Sequence, residues 1–169
     1  MWGTIAAEAT AESRLWGDAL RPVPAEEEVF SPLAEPRFRL GLETIYEGYL
    51  VHYGTPRLFD PPDADTALLL GDYLYAHGLV RIADGGDVAA VADLSELISL
   101  CSQLRAEDAE GDGALWAATA ALLGRGALDE ARTALRLHAD PRPLEAAARS
   151  AAGEEAVDMA IAAHTDRRG

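Results

Sequence analysis

The chain has 169 residues and a formal net charge of −15, and all 14 of its cationic side chains are arginines. A surface so acidic repels nucleic acid, anionic lipid and phosphate-rich small molecules. The length suits one domain that buries about two thirds of its unfolded surface. Its 15 glycines and 9 prolines are near average, so the chain is expected to be globular rather than disordered.

A single cysteine, Cys101, excludes an internal disulfide and fits a reducing compartment, so the cytoplasm is the expected location. The amino terminus has no basic region followed by an apolar run, so no secretory signal is expected. No stretch of about 18 apolar residues is present, and no membrane span is expected.

Taken in order, residues 4–20 place Ile5, Ala9, Leu15, Trp16, Ala19 and Leu20 at helical spacing and predict one helix, a docking arm capped by Thr4. Four prolines between Arg21 and Pro36, with Glu26, Glu27 and Glu28 among them, predict a mobile linker. Residues 1–36 thus form a helix and linker ahead of a bundle domain, 37–165, with a tail at 166–169.

Phe38, Leu42, Ile45, Tyr46 and Tyr49 make one stripe of a second helix that ends near His52, before Gly54 and Pro56. Asp63 or Asp65 caps the next helix. Its residues Ala67, Leu68, Leu69, Leu70, Tyr73, Leu74, Tyr75, Leu79 and Val80 are apolar on nearly every side, which predicts burial all round by its own domain or a partner. The run Asp84-Gly85-Gly86-Asp87 reads as a stop followed by a cap, and Val91, Leu94, Leu97, Ile98, Cys101 and Leu104 mark an amphipathic helix beyond it. An acidic loop, Glu107 to Asp112, is expected to be solvated. Alanine-rich helices follow at about 113–123, 127–138, 143–151 and 154–164. With no strand patterning, the fold class is all-α.

Chemical signatures are sparse. Asp60, Asp63 and Asp65 imitate a metal motif, but paired prolines and a capping role explain them better. His52, His77, His138 and His164 show no ligand spacing, and His52 and His77 lack an evident carboxylate partner, so packing roles are expected. Ser95, Ser99 and Ser102 lack a nucleophile context and are expected to face solvent. No glycine run is followed by the Lys-Ser or Lys-Thr of a phosphate loop.

The stretch Thr66-Ala67-Leu68-Leu69-Leu70-Gly71-Asp72-Tyr73-Leu74-Tyr75-Ala76-His77-Gly78-Leu79 resembles the helix after the first aspartate-rich motif of trans-prenyl diphosphate synthases, commonly Ala-x-Leu-x-Gly-Asp-Tyr-Leu-hydrophobic-Ala. The glycine permits close approach of a neighbouring backbone, and a buried aspartate there would need a partner. Glu43 to His52 resembles the family helix that ends in Leu-x-His-Asp-Asp-x-x-Asp. Leu94 to Leu104 resembles the next family helix, and Leu115 to Ala127 resembles its Lys-Thr-Ala segment. The likeness covers residues 37–127 and implies a truncated isoprenoid-synthase-like helical bundle.

The departures from that pattern matter as much as the likeness. Tyr53 and Gly54 stand where the first two motif aspartates belong, Arg57 where a third carboxylate is expected, and Ala118 where the diphosphate-binding lysine belongs. The family's Arg-Arg-Gly and its Phe-Gln-x-x-Asp-Asp have no counterpart, and Arg57 stands alone. Magnesium needs oxygen anions, and the reaction needs magnesium on the departing diphosphate.

The resemblance therefore implies a chain with no catalytic, cofactor-binding or metal residues of its own. It is similar to the small, non-catalytic subunit of hetero-oligomeric hexaprenyl and heptaprenyl diphosphate synthases of quinone (menaquinone) side-chain biosynthesis. Magnesium is then expected only in the catalytic partner. The implied interface is Leu70, Gly71, Asp72, Tyr73, Leu74, Tyr75 and His77, whose bulky members would approach the far end of the partner's product tunnel and help set product length. Alternatives are a free-standing isoprenoid-binding homodimer and an acidic helical adaptor of unrelated origin.

Overall fold

The computed structural model describes residues 1–168. Its helices are α1 (Trp2–Glu12), α2 (Arg14–Asp18), α3 (Arg39–Tyr53), α4 (Ala64–Asp84), α5 (Val88–Ala106), α6 (Asp112–Ala121), α7 (Asp129–His138), α8 (Arg142–Ala152) and α9 (Glu154–Arg167). Among the described residues there is no strand, and two isolated bridges, Leu20 with Phe59 and Gly54 with Arg168, are the extended pairings. The fold is all-α. No helix among the described residues is long and apolar enough to cross a membrane.

The axis of the molecule is α3, in which every residue from Gly41 to Val51 is buried. The sequence pattern asks for cover on every side of α4, from its own domain or a partner, and this chain covers one face of it. On α4, Leu70, Gly71, Leu74, Gly78 and Ile82 are buried, whereas Leu68, Leu69 and Val80 are more than half exposed.

Helices α3 and α4 run antiparallel and meet through glycines. Gly41 and Gly48 recur seven residues apart on α3, as do Gly71 and Gly78 on α4, and the two pairs interlock. A Cβ on Gly48 would lie 3.0 Å from the Gly71 carbonyl oxygen, and one on Gly78 would lie 2.9 Å from that of Gly41. A Cβ on Gly71 would overlap the His52 imidazole. Without side chains at these four positions, the backbones approach as closely as small-residue seams allow.

Residues 1–36 are packed on both flanks of this pair rather than leading loosely to it. Serine 13 breaks the expected single helix: its extended backbone starts α2, and its hydroxyl accepts from Leu15 N. Trp2, Ile5, Ala9, Trp16 and Ala19 bury against Val51, Leu58, Phe59, Leu70 and Leu74. The expected mobile linker enters the main core, with Val29 and Phe30 buried and short 3-10 turns at Ser31–Leu33 and Pro36–Phe38. Phe30 stacks on Trp116 at 5.6 Å and meets Tyr46 edge-on at 5.1 Å. At the other end, α9 runs through Arg167, so the expected tail is helical up to that residue; Gly169 lies outside the described residues.

The glycine seam can be tested by substitution. Alanine gains about 1 kcal/mol over glycine inside a helix, and Gly3→Ala in the first turn of α1 should show a fraction of that gain, because nothing lies within 4 Å of its new methyl. Gly71→Ala and Gly78→Ala should instead lower urea-unfolding stability by about 1 to 3 kcal/mol, the overpacking cost exceeding the propensity gain.

Candidate functional site

Because the seam fixes the rotation of α4, it also fixes which of its residues face outward. The outward stripe is Asp65, Leu68, Leu69, Asp72, Ala76, Val80 and Ala83, all exposed. The residues expected at a partner interface divide accordingly. Leu70, Gly71 and Leu74 are buried inside this chain. Tyr73 stacks on Trp16 and His77, and His77 meets Glu8 at 3.1 Å, with Arg81 on the same carboxylate. Tyr75 turns inward against His52, its hydroxyl buried without a hydrogen-bond partner, and burial pushes that phenol far above its ordinary pKa.

Asp72 alone of that set stands fully on the open face. Its side chain is 66% exposed rather than buried as expected, and one oxygen lies 3.2 Å from His52 Nε2. Burial pushes the His52 imidazole below its ordinary pKa while Asp72 pulls the other way, so at neutral pH the imidazole is uncharged. Both His52 and His77 thus have the carboxylate partners that sequence spacing did not reveal, from elements distant in the chain.

Behind this face lie two buried charged networks. Arg57, which seemed solitary in sequence, is fully buried between Glu43 and Glu47 of α3: Nη1 donates to Glu43 at 2.6 Å and Nε to Glu47 at 3.0 Å. The other Glu47 oxygen accepts the backbone amides of Arg57 and Leu58, and Arg57 Nη1 also donates to the Glu27 carbonyl at 2.7 Å. The guanidinium lies between the rings of Trp2 and Tyr46 at 4.6 and 4.8 Å. Burial would lower its pKa, but the two glutamates outweigh that and hold the charge in place.

The second network centres on Asp112, which is buried rather than part of a solvated loop. Tyr49 donates its hydroxyl to the carboxylate, His164 Nε2 lies 3.5 Å from it, and Arg168 and Arg105 approach to 3.6 and 3.9 Å. The other ring nitrogen of His164 faces the Tyr46 hydroxyl at 3.0 Å. Burial would raise the Asp112 pKa, but His164 at 3.5 Å, the Tyr49 hydroxyl and the nearby arginines hold it well below the ordinary carboxylate range. A third buried pair, Arg132 with Asp93 at 2.8 Å, ties α7 to α5, and the other Asp93 oxygen accepts Gly124 N.

Where the resemblance would place the first magnesium ligands, the donor set does not fit the ion. Tyr53 donates its phenol to Ser102, which is half-buried rather than solvent-facing. Gly54 abuts the Arg167 carbonyl, Thr55 N donates to that carbonyl at 2.8 Å, and Arg57 is a cation. The carboxylates beside Arg57, Glu43 and Glu47, are held by its guanidinium and by backbone amides. The open cavity of about 540 Å³ at this end of α3 is lined by His52, Tyr53, Gly54, Ser102, Arg105 and Ala106, none of them an oxygen anion. Asp63 caps α4 by accepting Thr66 N, as its spacing predicted.

No family model, no curated protein and no solved structure matches this chain.

Two measurements test the buried charges. Arg57→Met leaves Glu43 and Glu47 buried without their cation and should cost about 3 to 5 kcal/mol; adding Glu43→Leu and Glu47→Gln should recover part of it. The native pKa of Asp112 is depressed, so its contribution is complete above the unfolded carboxylate value near pH 4 and fades as the pH falls toward the native value; it amounts to about 2 to 3 kcal/mol at pH 7. Asp112→Asn should therefore reduce stability at pH 7 and lessen its fall between pH 5 and 2, read by chemical denaturation across that range.

Proposed function

We propose that this chain is a non-catalytic subunit that pairs with a catalytic trans-prenyl diphosphate synthase and helps set product length in quinone side-chain biosynthesis. The observation that carries the reading is the open apolar stripe of α4. It lies on the helix whose Gly71-Asp72 wording resembles the synthases, and it leaves Leu68, Leu69 and Val80 more than half exposed with no cover from this chain. An apolar helical face of that kind is the usual substrate for helix-on-helix docking.

The end of α3 supports the same reading. Tyr53, Gly54 and Arg57 supply packing and an internal ion pair in place of metal ligands, so the role assigned here is assembly, with magnesium and substrate turnover belonging to the partner. Within the complex, the stripe residues rather than Leu70 and Leu74 are assigned the intermolecular contacts. Tyr73 and Tyr75 are held by Trp16, His77 and His52, and act as buttresses behind that surface.

Co-expression with the full-length prenyl diphosphate synthase of the same genome tests this. The two chains should co-purify, and allylic diphosphate plus isopentenyl diphosphate should be elongated by the pair and not by this chain alone. Leu69→Glu should weaken the complex by tenfold or more, since about 1.4 kcal/mol accounts for each factor of ten. Leu68→Ala should shift the product-length distribution. Turnover by the isolated chain, or failure of the two chains to associate, would contradict the reading.

A further inference from the structure

The stripe on α4 has a finer pattern than its apolar content. Leu69, Asp72, Ala76 and Ala83 fall at three-, four- and seven-residue steps, the spacing of a helix-docking seam, with Leu68 and Val80 on its flanks, while Leu79 packs against this chain's own core. Ala76 and Ala83 leave room for close approach of another helix. Asp72 is the single charged position in the middle of this seam.

A helix laid along the stripe would cover Asp72, and a carboxylate removed from water needs a cation opposite it. Among the described residues, His52 is the group that meets the Asp72 carboxylate. His52, at 3.2 Å, is an uncharged donor at neutral pH. Arg81, the one arginine of α4, is turned to Glu8. The other charges along the outer side of α4 are Asp65 and Asp84, both exposed, and they add to the demand.

Self-pairing makes matters worse. Two copies joined stripe to stripe would bring Asp65, Asp72 and Asp84 of each into one interface between bodies of net charge −15. A copy docking through some arginine-bearing face elsewhere would form a head-to-tail contact that closes into a ring or grows into a fibre.

We infer that the α4 stripe receives a helix from a different chain, one that places an arginine or lysine against Asp72 between small and apolar residues. This deepens the subunit reading, on which it rests, by naming the chemistry of the partner's face. A single polar position in an otherwise apolar seam fixes register and partner choice. The cation on the partner would therefore determine which chain is accepted and at which register.

The test places a photo-reactive phenylalanine analogue at position 76 of the full chain in its native cells and identifies the cross-linked peptide by mass spectrometry. The expected adduct is a helical peptide of another protein with Arg or Lys within one turn of the attachment point. Asp72→Arg should cut its yield about tenfold, and exchanging that partner cation for Glu should restore it. Circular dichroism of the Asp72→Arg chain should match the parent and its unfolding midpoint should fall only slightly, because the exposed side chain gives up one contact, that with His52. Adducts between copies of this chain, adducts to a segment without a cation, no adduct, or a yield indifferent to Asp72→Arg would each overturn the inference. If the adduct meets the charge criterion but comes from a protein other than a prenyl diphosphate synthase, the inference stands and the subunit reading falls.

Discussion

The close approach of α3 and α4 through Gly41, Gly48, Gly71 and Gly78 is the constraint from which the rest of the structure follows. Two helices in backbone contact cannot rotate about their axes, so the seam decides that Leu70, Leu74 and Ile82 turn inward and that Leu69, Asp72 and Val80 turn outward. It also seats the His52 ring on Gly71 and brings it within reach of Asp72, so that a residue of the buried helix touches the open face. Packing of this kind has little slack, because interiors are as dense as organic crystals.

Enclosing α3 on all sides creates a second requirement. Its polar side chains have no water to turn to, and each finds a partner within the molecule. Glu43 and Glu47 take Arg57 from the following loop. Tyr49 and Tyr46 reach Asp112 at the start of α6 and His164 of α9. The same networks hold the segments that wrap the bundle, since Arg57 bonds the Glu27 carbonyl and Arg168 approaches Asp112. Folding and closure of the termini are thereby coupled through charge.

Much of this architecture is legible in the sequence. Helical periodicity places α3 through α9 within a few residues, and the caps at Asp63 and Asp87 act as their spacing implies. What is not legible depends on contacts between distant segments. Nothing local marks Arg57 as the partner of two glutamates, although Glu43 and Glu47, one turn apart on an apolar stripe, are a signal that a buried cation must come from elsewhere. Asp112 reads as one more acid in a polar loop because Tyr49 and His164 lie 63 and 52 residues away. The seven-residue glycine recurrence on both helices is the available clue to the seam, and nothing in the leucine content of α4 marks α3 as the helix this chain encloses. The split of the expected interface between inside and outside follows from that same rotation, which a helical pattern leaves free.

The functional reading joins these strands. The buried charges of Arg57, Asp112 and Arg132 and their partners hold the bundle together, and one helix keeps an apolar stripe on the outside with Asp72 in it, in contact with His52. The most direct measurement is a methyl-resolved NMR titration of this chain with the catalytic prenyl diphosphate synthase. The account predicts that the methyl signals of Leu68, Leu69 and Val80 shift or broaden as the partner is added, while those of Leu70, Leu74 and the distant exposed Leu137 stay unchanged. Perturbation centred on Leu137 or Met159, or no perturbation at saturating partner, would contradict it.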